Sequence, residues 1–345
     1  MVDSNVANVL INKEKLAHNL EFCGQLCKKQ GIELAFVTKS ICADPYVMQI
    51  VRNSSVTAIA DSRLDNMAKM EFDGKKILIR PTVPAEAPLV IEHTTHSVQC
   101  EMLSLEALNK CAESAGKTHN VLLMIDLGDL RDGIIYYNEK RILDTAEYIS
   151  HSKGLNLAGV AANYNCLAGL LPDNENMKNL IDIGNKISHL YNTDKPIISG
   201  GNSSSTYFLT NPNTPVPKGI TQFRMGEAVV LGRNPADDTF VEGLYNDAFV
   251  LNVPLIDVQS KADKKASPQK LRRGVLAIGN QDTQIHRLVP VDRRIKIIGS
   301  CSDECVVDLS LAGEDYKAGD MVSFIFEYGA LMTLFASPFV KRIYG

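Results

Sequence analysis

Between residue 12 and about residue 240, short apolar runs alternate with amphipathic segments, and that alternation restricts the possible folds more than any other feature of the chain. The segment NKEKLAHNLEFCGQLCKKQG (12–31) reads as a long helix. Strand-like runs follow at LAFVT (34–38), VTAIA (56–60), KILIR (76–80), HSVQC (96–100), NVLLMIDLG (120–128), LNLAGVAA (155–162), PIISG (196–200) and ITQFR (220–224). Helical patterns such as DSRLDNMAKM (61–70), SLEALNKCAESAG (104–116) and NENMKNLIDIGNKISHLY (174–191) separate them. Near-continuous apolar strands are what a parallel sheet covered on both faces requires. Eight such units in roughly 230 residues match an α/β architecture, the (β/α)8 TIM-type barrel. A doubly wound open sheet is the competitor, but it usually has fewer strands and a GxGxxG turn, which is absent here.

Past residue 240 the helical patterns stop. DAFVLNVPLIDVQ, RRGVLAIGN, RIKIIGS, ECVVDLSL and DMVSFIFEYG read as strands and turns, so a C-terminal all-β domain is expected. The division is a barrel over 10–238 and a β domain over 239–345, the latter with residues 1–9. NVLIN (8–12) precedes the barrel and could pair back into it.

Charge narrows the function. The formal net charge is -4, and the densest cationic stretch, KADKKASPQKLRR (261–273), is broken by Asp263, Ser267 and Pro268. Nucleic acid is therefore not an expected partner. No run nears the roughly 20 apolar residues that span a bilayer. The N-terminus lacks the plan of a signal peptide. Eight scattered cysteines without CxxC or zinc-ribbon spacing point to reduced thiols and a cytoplasmic protein. No metal site is expected; His93 and His96 have no well-spaced acidic or sulfur ligand.

In such a barrel, chemistry sits at the carboxyl ends of the strands. Lys39 ends the first run, Arg131 closes DLGDLRDG after the fifth, and Asn163 ends the sixth. SGGNSSS (199–205) follows the seventh; Arg224, with Gly226, ends the eighth. Gly200 and Gly201 permit close backbone approach, Ser203, Ser204 and Ser205 supply hydroxyls, and the segment, Asn202 included, leads into a short helix whose N–H groups suit a phosphate. An amine on one side of a barrel mouth and a phosphate cradle on the other suit pyridoxal 5'-phosphate. A guanidinium stays charged, so Arg224 facing the pyridine nitrogen would keep that nitrogen unprotonated and weaken the ring as an electron sink. Proton removal and return is then the favoured outcome.

These residues resemble fold-type III pyridoxal enzymes, the alanine racemase superfamily, and most closely its ornithine racemase group. The matching stretches are VTK at Lys39, ADSRLDNM (60–67), LMIDLGDLRDG (123–133), ISGGNSSS (198–205), FRMGEAVVLGR (223–233), GSCSDECVVDL (299–309) and YGALMTLFASPFVKRIY (328–344). The resemblance implies that Lys39 carries the cofactor and acts as one acid/base. It puts Arg131 near the substrate carboxylate, Asn163 beside the ring, Ser203 and Gly226 on the phosphate, and Arg224 on the pyridine nitrogen. Tyr328 matches a tyrosine that reaches the phosphate. It also implies a head-to-tail homodimer acting on a small amino acid.

Departures from the alanine racemases are visible. Their second base is a tyrosine, and residues 257–272 contain none; Met124 stands where they carry a carbamylated lysine. Racemisation needs proton transfer at both faces of the α-carbon. Lys39 serves one; Cys301 or Asp303 is the candidate for the other, with Asp282 and His286 behind them. Asp129, Asp132 and Glu304 are possible partners for the distal ammonium of a diamino acid such as ornithine. A decarboxylase of the same fold type is the alternative function, as is a broad-specificity or alanine racemase.

Overall fold

The computed structural model describes residues 6–262 and 270–345. They form two compact units, one of residues 17–39 and 43–244, the other of residues 6–16, 40–42, 245–262 and 270–345.

The larger unit is a closed parallel barrel. Its strands, in chain order, are Glu33–Val37, Ala58–Asp61, Lys75–Leu78, His96–Gln99, His119–Asp126, Leu155–Ala161, Ile197–Ser199 and Gln222–Met225. Each pairs in parallel with its sequence neighbours, and strand eight pairs back onto strand one, with Arg224 opposite Ala35. All eight expected runs are therefore barrel strands, each within a few residues of its expected limits. Their side chains explain the closure: Ala35, Phe36, Ala58, Ile59, Ile77, Leu122, Leu123 and Phe223 are all fully buried. Burying one such large apolar side chain contributes about 1.5–3 kcal/mol. Helices Asn174–Tyr191 and Met102–Ser114 occupy the outer ring; the first is capped by the Asp173 carboxylate on the Asn176 N–H.

The two residues Ile134–Ile135 pair in parallel with the end of strand five, Ile125–Asp126, which the sequence reading did not anticipate. Gly133 makes this return possible: its φ is +116°, and a Cβ there would lie 2.7 Å from the Asp126 nitrogen.

The smaller unit is an eight-stranded sheet built around Phe249–Ala262. That strand pairs antiparallel with Lys270–Leu276 and with Met321–Phe326. Here the structure corrects the reading of the N-terminal strand. Asn8–Ile11 does not pair into the barrel; it lies antiparallel to Phe249–Asn252 and parallel to Lys341–Tyr344. An isolated strand leaves its backbone groups unpaired, and these two strands satisfy it on both edges. No described helix is long and apolar enough to cross a membrane.

Candidate active site

Strand ends of the barrel collect the unusual side chains at one rim. Strand one ends at Val37. Thr38 then donates its N–H to the Ala60 carbonyl at 2.8 Å and its hydroxyl to Asp61 at 2.7 Å. That anchorage fixes where Lys39, the next residue, leaves the wall. Lys39 is only half-exposed, and loss of water pulls its amine down, with Arg131 pulling the same way and Cys166, Asp61 and Glu227 opposing. Asp61 is fully buried, and burial pushes its carboxyl up, although it accepts from Thr38, from the Arg63 N–H and from Asn66.

Arg224 lies within strand eight and is almost fully buried. Burial brings its guanidinium down to about 10, which still leaves it charged at neutral pH. It donates to the Ala162 carbonyl and to Asn163 Oδ1, the latter at 3.1 Å. Asn163 donates onward to Asp132 Oδ1 at 3.2 Å, and that same oxygen accepts from Arg131 Nε at 2.8 Å. One connected chain thus runs from strand eight across the loop after strand six to the loop after strand five. A carboxylate and an amide hold two guanidinium groups in register, and each link is charge-assisted or partly buried.

Loops seven and eight meet beside it. Asn202 accepts from the Ser204 N–H at 2.9 Å and donates to the Tyr164 carbonyl at 2.7 Å. The Ser203 hydroxyl takes the N–H groups of Gly226 and Ala228, both at 3.2 Å. Gly201 has no room for a side chain: a Cβ would lie 2.2 Å from the Phe223 ring. Hydroxyl and amide donors therefore converge where loops seven and eight touch.

Residues 11–234 match the family model described as the alanine racemase N-terminal domain. The chain belongs to that family. It is 34% identical over 350 residues to the ornithine racemase of Acetoanaerobium sticklandii, covering 97% of this chain and 98% of that one. It is 28% identical to the lysine racemase of Thermotoga maritima, again over 97% of this chain and 98% of that one. Among solved structures it is similar to an alanine racemase of Clostridium difficile 630, with a TM-score of 0.78, 17% identity, and coverage of 100% of this chain and 97% of that one.

Within this alanine racemase family member, Lys39, Arg131, Asn163, Asn202, Ser203, Ser204, Arg224 and Gly226 all lie in the barrel unit, at or just beyond strand ends. Tyr328, Cys301 and Asp303 belong to the smaller unit. Tyr328 begins the helix Tyr328–Ala336. Cys301 and Asp303 sit in the exposed turn between strands Lys296–Ser300 and Cys305–Asp308, where Asp303 accepts from Gln281 at 2.7 Å. Asp282 is buried and takes the Gly279 N–H and the Ser337 hydroxyl, which is a structural assignment. His286 is an exposed residue of the short turn Ile285–Arg287. Asp129 is no open partner for an ammonium group; buried, it accepts the backbone N–H of Cys166 and Leu167.

Three residues of the rim escaped the sequence reading. Asp61 was hidden inside a helical pattern, and Tyr164 and Cys166 follow Asn163 in a loop with no recognisable turn signature. Tyr164 is fully buried, its hydroxyl has no hydrogen-bond partner among the described residues, and burial pushes the phenol up.

Proposed function

We propose that this chain is a pyridoxal-phosphate-dependent amino acid racemase whose substrate is ornithine or a closely related diamino acid. One observation carries the reading: a half-buried lysine and a buried guanidinium at the ends of adjacent strands, one and eight, in a family of racemases. The donor set fits the cofactor. Three cations, Lys39, Arg131 and Arg224, share one rim, and the Ser203 hydroxyl, which accepts the Gly226 and Ala228 N–H groups and keeps its own hydrogen to donate, suits a phosphate. The pyridoxal group supplies an aldehyde carbon to bond an amine and a conjugated ring that acidifies the adjacent C–H.

The chain's own residues do the rest. A desolvated Lys39 has a larger neutral fraction at physiological pH than an exposed lysine, so it serves as nucleophile and then as proton acceptor. Arg131, fixed by Asp132, presents donors for the substrate carboxylate. Arg224 would hold the ring nitrogen side of the cofactor, where its charge would disfavour a second positive charge. Asn163 holds Arg224 and Asp132 at their separation. Cys301 and Asp303 are the candidates from the sequence for the opposite face, and a head-to-tail homodimer, with Tyr328 serving the partner's phosphate, is the assembly the resemblance implies.

The test is direct. Protein loaded with cofactor is incubated separately with L-ornithine, L-lysine and L-alanine, and the products are separated by chiral chromatography. The reading expects both enantiomers from a diamino acid, formed faster than from alanine. Release of carbon dioxide, or no conversion, would reject it.

A further inference from the structure

We propose that Cys166 is the proton-transfer group for the face of the α-carbon opposite Lys39. The inference rests on the racemase reading and deepens it, moving the second catalytic group from the smaller unit into the barrel itself.

Topology supplies the first argument. Lys39 follows strand one and Cys166 follows strand six. The ring order is one, eight, seven, six, so the two residues follow strands three places apart in the ring of eight, with Arg224 of strand eight on the arc between them. Inversion at carbon requires proton-transfer groups that reach Cα from different directions.

Elimination supplies the second. Three carboxylates of the rim are committed. Asp61 is engaged by Thr38, Arg63 and Asn66; Asp129 by two backbone amides; Asp132 by Arg131 and Asn163. Cys166 is exposed, and among the described residues its thiol donates one hydrogen bond, of 3.3 Å, to the Tyr164 carbonyl, which leaves its sulfur lone pairs unengaged.

Its position is fixed on both sides. The Asp129 carboxylate takes its N–H at 3.2 Å. Asn165 before it adopts a left-handed φ of 54° and donates to the Pro235 carbonyl at 2.9 Å. A non-glycine residue in that region carries strain that persists only when its surroundings hold it.

Charge supports both directions. Partial loss of water pushes the thiol up, Arg131, Lys39 and Arg224 pull it back, and Asp129 opposes them. The resting pair is therefore an amine inclined to be neutral and a thiol that keeps its proton. In one direction the Lys39 nitrogen takes the proton from one face of Cα, leaving the bonding pair on the substrate. The Cys166 S–H then delivers its proton to the other face, forming the new C–H bond and leaving a thiolate beside three cations. The reverse direction exchanges the two roles, so protons and charge balance without a further reactant.

Cys166→Ala and Cys166→Ser are loaded with pyridoxal phosphate and compared with wild type in deuterated water. Both should bind the cofactor within about twofold of wild type by visible absorbance. Racemisation by Cys166→Ala should fall at least about 100-fold, while Cα–H exchange, read by NMR, persists for one ornithine enantiomer and vanishes for the other. Iodoacetamide should label Cys166 in loaded wild type, read by peptide mass, and ornithine should slow that labelling at least tenfold. Exchange of both enantiomers by Cys166→Ala, labelling that ornithine leaves unslowed, or one-sided exchange in Cys301→Ala or Asp303→Ala instead, would each overturn the assignment. Absence of exchange in wild type would defeat the racemase reading itself, a different result from two-sided exchange in the variant.

Discussion

At the scale of single residues, Arg224 has the most to hold. Its guanidinium is buried, and it satisfies the Ala162 carbonyl and Asn163 together. Replacing it by methionine keeps the bulk but strands both acceptors. Each buried group left unpaired costs about 1–3 kcal/mol. Arg224→Met should therefore lower the urea midpoint, and in cofactor titrations it should bind less tightly than wild type. A variant as stable as wild type would show that the Arg131–Asp132–Asn163–Arg224 chain is not cooperative. Lys39 and Arg224 were legible in the sequence because a cation at the end of an apolar strand contradicts its surroundings. Cys166 was not, because a loop thiol carries no periodicity. Only the folded ring order brings it across from Lys39.

At the scale of elements, the end of the barrel where the strands begin carries a pH dependence of its own. His96 begins strand four and His119 strand five, and both are buried. His119 shares a hydrogen bond of 2.9 Å with the Ser97 hydroxyl, and His96 one of 2.9 Å with Thr95. Desolvation, with Lys75 acting on His96 and His96 on His119, brings both imidazoles down to about 4 from 6.5. Between those values the unfolded chain binds more protons than the folded one. The stability they contribute is full above about 6.5 and is lost as pH falls toward 4. Urea midpoints at pH 7 and pH 5 should differ more for wild type than for a His96→Gln, His119→Gln double variant; equal differences would contradict this. The same scale shows what sequence patterning conveys. Apolar runs located all eight barrel strands, since most residues of these strands are buried. The pairing of Asn8–Ile11 was left open between barrel and β domain, because a four-residue apolar strand does not name its neighbour. Deleting residues 1–12 should expose the edges of Phe249–Ala262 and Lys341–Tyr344 and lower the melting temperature. An unchanged melting temperature would mean that the strand adds nothing to the sheet.

At the scale of the whole molecule, the family resemblance extends over both units, because the similarity to the ornithine and lysine racemases covers 97% of the chain. A homodimer is the expected assembly. Sedimentation equilibrium should give twice the 37.9 kDa chain mass at micromolar concentration, and a monomer that racemises ornithine would contradict the dimer. The claim on which the rest depends is covalent attachment at a single nitrogen. Borohydride reduction of the loaded protein, followed by peptide mass mapping, locates the amine that holds the cofactor aldehyde. The added mass should fall on the peptide containing Lys39 and disappear in Lys39→Ala. Its appearance on another lysine, or on none, would contradict the account.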